Sequence, residues 1–180
     1  VIKPGSETDA LIGLNDLMAT WSDIADIDLA PEHAPDSVSF FSVLNQSTNL
    51  TRHSLVTRGT RTDAFHEGNW KLILGPGSGS SGNFYSVPKS EDAWKTAISK
   101  FGRNPANHKE LENPIFVQLF NLKDDPGEKT DLSLANSAKF KMMLTAYQQI
   151  IHDGRSTPGP RLNNDREVNA FRPPPFVWSK

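Results

Sequence analysis

The sequence predicts an α+β fold: a small antiparallel β-sheet with a long C-terminal helix packed on one face. Three observations predict it. The middle of the chain carries short runs rich in β-branched and aromatic residues, separated by polar, glycine-bearing turns. Glu67-Gly68-Asn69, between two of these runs, reads as a hairpin turn whose glycine is free to take φ > 0. Downstream, Leu132, Leu134, Phe140, Met143, Leu144, Tyr147 and Ile151 line one side of a helix over roughly 136–152, and Gly154 stands where a helix stop belongs.

In chain order, Asp9-Ala10-Leu11-Ile12-Gly13-Leu14 is a short apolar run expected as a strand. Asn15 and Asp16 offer N-caps for a helix over 15–26, where Leu17, Met18, Trp21, Ile24 and Ala25 fall at helical spacing. That spacing makes one face apolar, and an apolar face is expected to be buried. A polar, proline-containing loop follows, and Val38 to Leu44 is expected as a short helix. Ser54–Thr57, Thr62–Phe65, Trp70–Leu74 and Ile115–Phe120 are the expected strands. The last of these is closed by the turn Lys123-Asp124-Asp125-Pro126-Gly127. An irregular insertion spans 77–113, with a flexible Gly/Ser loop at 75–82 and a short helix expected over 90–101. The domain reading is therefore 1–153, including that insertion, with a Pro/Arg-rich tail at 154–180. The stripe of the long C-terminal helix needs an apolar partner, and the sheet is the obvious one.

At 180 residues the chain has room for one domain with a real core. Nineteen basic residues against 21 acidic ones give a net charge of −2, so nothing draws the chain as a whole to nucleic acid or to anionic membranes. No apolar stretch approaches the ~20 residues of a spanning helix. With 0 cysteines, disulfides, thiolate zinc sites and cysteine nucleophiles are excluded. Two sequons, Asn45-Gln46-Ser47 and Asn49-Leu50-Thr51, are the only modification signals, and short patterns of this kind arise readily by chance. The chain opens Val1-Ile2-Lys3-Pro4-Gly5 without an initiator Met, which reads as the end of a connection inside a longer protein.

No self-sufficient catalytic constellation is visible. The five histidines form no H-x-H or H-E-x-x-H pair. His66 and Glu67 are neighbours on a strand, so their side chains leave from opposite faces and share no ligand. The serines of 78–81 lack the strand-turn-helix context of a nucleophile, and no Gly-Lys-Ser/Thr follows to make a phosphate loop. Asp124, Asp125 and Glu128 are acidic but lack the alternating spacing of a calcium loop, so they read as a turn. Phe171, Phe176 and Trp178, with Arg172 and prolines 173–175, suit either a docking tail or an extension wrapping its own protein.

The run Leu119-Phe120-Asn121-Leu122-Lys123-Asp124-Asp125-Pro126-Gly127-Glu128-Lys129-Thr130-Asp131-Leu132 resembles a stretch near the C-terminus of type I sulfatases, and Asp153-Gly154-Arg155-Ser156-Thr157-Pro158-Gly159-Pro160 is similar to the end of bacterial arylsulfatase A-like members. Glu67-Gly68-Asn69-Trp70-Lys71-Leu72-Ile73 is similar to that family's Gly-x-Trp/Tyr-Lys-Leu strand. Leu14-Asn15-Asp16-Leu17-Met18-Ala19-Thr20 resembles the helix following its catalytic core, with Ala19 where the family commonly has proline. The resemblances run in the family's order over most of 1–153, the insertion excepted.

What the resemblance implies is a C-terminal subdomain of an alkaline-phosphatase-like sulfatase. The parent enzyme would hydrolyse sulfate esters with a formylglycine nucleophile and a calcium ion, both outside this segment, and this fragment alone would be inactive. None of the family's catalytic or metal residues carries over. The nearest nucleophile motif, Ser156-Thr157-Pro158-Gly159-Pro160-Arg161, has its arginine one place late. By analogy the segment packs on the missing N-terminal catalytic domain and walls the cleft for a small sulfate ester, with His53, Arg58 and His66 as candidate substrate contacts. A periplasmic or secreted setting is also implied by the resemblance alone. Two alternatives stay open: a phosphodiesterase or phosphonate monoester hydrolase of the same superfamily, and a stand-alone non-catalytic binding module. The first is separated by the nucleophile and a substrate comparison. The second predicts no large exposed apolar patch, whereas a fragment must show one where the larger domain docks.

Overall fold

The structure, a computed structural model, describes residues 2–46, 52–59, 63–74, 92, 117–168 and 170. The Gly/Ser loop, most of the insertion with its expected helix, Ser47 of the first sequon, the whole second sequon and the tail beyond 170 lie outside the described residues. The chain divides into two compact units, one made of 1–55 with 146–168 and the other of 56–145 with 169–180. The longest helix contributes residues to both.

The second unit holds all of the sheet but the first two residues of its first strand. Strands β1 (Ser54–Arg58), β2 (Asp63–Glu67), β3 (Trp70–Ile73) and β4 (Gln118–Asn121) lie side by side in the order β1-β2-β3-β4. β2 and β3 pair antiparallel, as do β3 and β4. Glu67 pairs with Trp70 across a two-residue turn in which Gly68 takes φ +55°, the conformation that the turn reading required of it. The registers stack Phe65, Leu72 and Leu119 in one row, and all three are fully buried. Glu67 and Trp70 share that face, because alternate strand residues point the same way.

The long helix α3 (Ser137–Asp153) begins over this face. Lys139 reaches Glu67 at 2.6 Å and stands 5.9 Å from the centroid of the Trp70 ring. Phe140, Met143, Leu144 and Tyr147 are buried, as the helical stripe predicted, whereas Leu134, which precedes the helix, is exposed. Gly154 ends the helix at φ +64°. A Cβ there would collide with the backbone carbonyl of Leu162, so only glycine fits this stop.

β4 is an edge strand, and its free edge is covered from within the chain. Leu132 N–H donates to Leu119 O at 2.8 Å, and Leu119 N–H donates to Asp131 Oδ1 at 3.0 Å. The short segment 131–132 thus satisfies backbone groups that would otherwise template further strand pairing.

The first unit differs more from the sequence expectation. Residues 9–13 form no strand. Gly13 is extended, but its N–H donates to the carboxylate Oδ2 of Asp16 at 2.8 Å, which commits the segment to a turn instead of a ladder. A 3-10 turn at Leu14–Asp16 leads into helix α1 (Leu17–Ala25). Helix α2 is only Phe41–Leu44, shorter than expected. The preceding N–H groups are already engaged, Val38 with Asp16 Oδ1 at 2.9 Å and Phe40 with Thr20 Oγ1 at 3.1 Å.

Residues 154–168 are irregular yet well tied. Arg161 Nε donates to His152 O, Leu162 N–H to Asp153 O and Asn164 Nδ2 to Ile151 O, so the last carbonyls of α3 are satisfied. Arg155 is buried and grips Thr157 and Pro160. Thr157 Oγ1 donates to Pro35 O, and Ser156 N–H donates to Asp36 Oδ1. Ser156 therefore sits in a hydrogen-bonded loop, with no helix start beneath it.

Candidate functional site

Of the three nominated residues, Arg58 and His66 belong to the second unit and His53 to the first. His53 is exposed and precedes β1, in the first unit. Arg58 ends β1, in the second unit, and is spoken for: its Nε and Nη2 hold the two carboxylate oxygens of the buried Asp63 at 2.8 and 3.0 Å. His66 lies three residues beyond Asp63 on β2, which places it on the opposite face of the strand.

His66 has the more distinctive surroundings. It pairs directly with Lys71, which pairs in turn with the fully buried Phe120. Lys71 Nζ is held 2.6 Å from Glu128 Oε1, and both side chains are largely buried. Burial pushes the His66 imidazole below its ordinary pKa, the Lys71 ammonium pushes it the same way, and the Glu128 carboxylate opposes them. The result is a neutral, half-buried ring at neutral pH. Glu67, its chain neighbour, faces Lys139 on the other side of the sheet, as strand geometry demands.

A depressed histidine pKa has a definite sign in stability. Below about 6.5 the unfolded chain takes up a proton at this ring that the folded chain resists. The stability associated with neutral His66 is present in full above that pH. It is lost as pH falls from there toward the lower folded-state value. Urea unfolding of wild type and His66→Gln at pH 5.5 and 7.5 should show the smaller pH dependence in the variant. Equal pH dependence in both proteins counts against this placement of His66.

The acidic residues near the family-like turn serve the turn. Asn121 O accepts the N–H groups of Asp124 and Asp125, and Asp125 Oδ2 accepts Thr130 N–H at 2.8 Å. Asp131 Oδ1 accepts from Leu119 and Ser133, and Glu128 holds Lys71. Leu122 N–H donates to Asn69 O at 2.8 Å, so two of the sequence stretches that carry the resemblance meet around β3 and β4. Their shared residues are explained by turn closure and ion pairing within this unit. Among the described residues no group of three or more His, Cys, Asp or Glu side chains is placed to hold a metal ion. None of the described helices is long and apolar enough to cross a membrane.

The feature that sequence reasoning placed wrongly is the apolar face of α1. It was expected to be buried, and it is open to solvent. Leu14 is 88 % exposed, Met18 54 %, Trp21 61 % and Ile27 61 %, with Leu17 and Ile24 exposed between them. The inward side of the helix is polar instead: Asp16 and Thr20, one turn apart, are buried. Thr20 Oγ1 donates to Asp16 O, and Ala19 N–H donates to Ser37 Oγ. Hydroxyl and carboxylate side chains fasten α1 to its own unit, and its large apolar side chains point away.

The fold is similar to that of a solved Bacteroides thetaiotaomicron sulfatase. That structure comes from work on the metabolism of multiple glycosaminoglycans by this bacterium. The similarity has a TM-score of 0.55 at 18 % sequence identity and covers 83 % of this chain but only 26 % of that one. No family model matches the chain, and no curated protein matches it. At this identity the likeness is one of fold. The chain spans about a quarter of the sulfatase's length, and the α+β arrangement of four antiparallel strands and a C-terminal helix has a counterpart there.

Proposed function

We propose that this chain is the C-terminal part of a sulfatase-related enzyme, and that it docks through the exposed face of α1 on a larger catalytic domain of the same protein. The observation that carries this reading is the stripe Leu14, Leu17, Met18, Trp21, Ile24 and Ile27. Single exposed apolar residues are ordinary, but six large ones on and beside one helix mark an interface. A stripe of this size is what a segment shows where a larger domain docks. The fold likeness to a sulfatase about three times as long supplies the kind of occupant.

The reaction proposed for the whole enzyme is hydrolysis of a small sulfate ester. Formylglycine and calcium would come from the catalytic domain. With 0 cysteines, only a serine-derived nucleophile is open to this chain, and among the described residues no group of three or more His, Cys, Asp or Glu side chains is placed to hold a metal ion. No catalytic step is therefore assigned to this segment. Its proposed part is to wall the substrate cleft, with His53, Arg58 and His66 touching the organic portion of the substrate. Of these, His66 is the best suited, since a neutral ring beside a buried ion pair can both pack on an apolar group and hydrogen-bond.

The test begins with the gene. The natural reading frame containing these residues should encode a C/S-x-P/A-x-R motif upstream. Its full product should cleave p-nitrophenyl sulfate, and residues 1–180 alone should not. Preference for p-nitrophenyl phosphate or a phosphate diester would move the protein to the phosphoryl side of the superfamily. A reading frame with no such motif would end the sulfatase reading.

A further inference from the structure

The charge around the α1 face specifies its partner further. Residues 1–51 contain eight acidic side chains and a single basic one, Lys3. The next basic residue, Arg52, is buried and spent on Asp16 and the Asp36 carbonyl. At the C-terminal end of α1 the exposed Ile27 is flanked by Asp26 and Asp28, both exposed. Carboxylates at this end of a helix add to the negative pole of the helix dipole and do not offset it, and α1 has no basic residue in its last turn. Asp26 also adopts the left-handed conformation, at φ +55°. Among the described residues no cation pairs with Asp26 or Asp28, so the apolar stripe ends in a negative edge.

We infer that the surface covering α1 is apolar at its centre and carries lysine or arginine where it meets Asp26 and Asp28. This rests on the docking reading above and deepens it, with the preceding domain of the same polypeptide as the occupant. Buried apolar contact supplies most of the affinity, and the charges fix the register and reject wrong partners. An anionic surface such as a phospholipid headgroup layer or nucleic acid is disfavoured by the same edge.

The experiment compares wild type with Asp26→Asn/Asp28→Asn in two contexts, the full natural protein and residues 1–180. Asparagine tolerates the left-handed conformation at 26, so local folding is preserved. In residues 1–180, stability to urea should be unchanged or slightly raised, because two charges are removed from the negative helix end. In the full protein, hydroxyl-radical oxidation of Met18 and Trp21 should accelerate severalfold, on the order of threefold to tenfold for two lost surface pairs. The difference should shrink at high salt. If Met18 and Trp21 are protected in the full protein and the double substitution changes neither their oxidation nor its salt dependence, the basic edge is refuted and docking survives. If they oxidise in wild-type full protein as fast as in residues 1–180, docking fails, and this inference with it.

Discussion

Asp16→Ala should destabilise the chain by about 3–5 kcal/mol in urea unfolding, among the largest single-residue effects in the molecule. Asp16 is buried and does three things with one carboxylate. Oδ2 accepts Gly13 N–H at 2.8 Å, Oδ1 accepts Val38 N–H at 2.9 Å, and Oδ1 lies 3.3 Å from Arg52 Nη1. The last is a charge contact without hydrogen-bond geometry, and Arg52 Nε and Nη1 make no hydrogen bond. Burial works against the Arg52 charge, and Asp16 and then Asp36 are the opposing influences. Removing Asp16 strands a buried guanidinium and two backbone N–H groups together. The control is Asp16→Ala/Arg52→Met, which removes the stranded charge and should be less destabilised than the two single variants summed. A loss below about 1 kcal/mol for Asp16→Ala would place this pair among ordinary surface contacts.

Trp21→Ser should behave oppositely in the two contexts. In residues 1–180 the side chain is mostly in water, so unfolding should change by no more than about 0.5 kcal/mol. In the full natural protein, where Trp21 is the largest anchor of the proposed interface, the same change should weaken docking by about 2 kcal/mol or more. The readout is the urea midpoint of each protein, followed by tryptophan emission and by circular dichroism. Equal small effects in both would mean that nothing covers α1.

What could be read in advance follows from how local each signal was. The β2–β3 hairpin was legible because a turn glycine and two alternating runs sit within a dozen residues. The register that sets Lys71 opposite His66 came from the structure, where Glu67 joins the strand and the turn shrinks to two residues. Helix α3 was legible from its apolar period and the glycine that stops it. The strand expected at 9–14 failed because a carboxylate three residues ahead captures Gly13 N–H, and hydropathy is blind to that competition. Glu128 beside Lys71, and Arg52 beside Asp16, join residues far apart in the chain and left no local trace. The face of α1 was recognised as apolar, but periodicity names a face that wants cover without naming what covers it. A usable hint was present: Asp16 and Thr20 share the side of the helix away from Trp21, and buried polar anchors there free the apolar side.

Hydroxyl-radical footprinting of Met18 and Trp21 in the full natural protein and in residues 1–180 probes the docking face most directly. Strong protection in the longer protein and fast oxidation in the isolated chain is the expected outcome. Equal oxidation in the two, with both folded, would mean that α1 meets only solvent and that this segment is no docking layer.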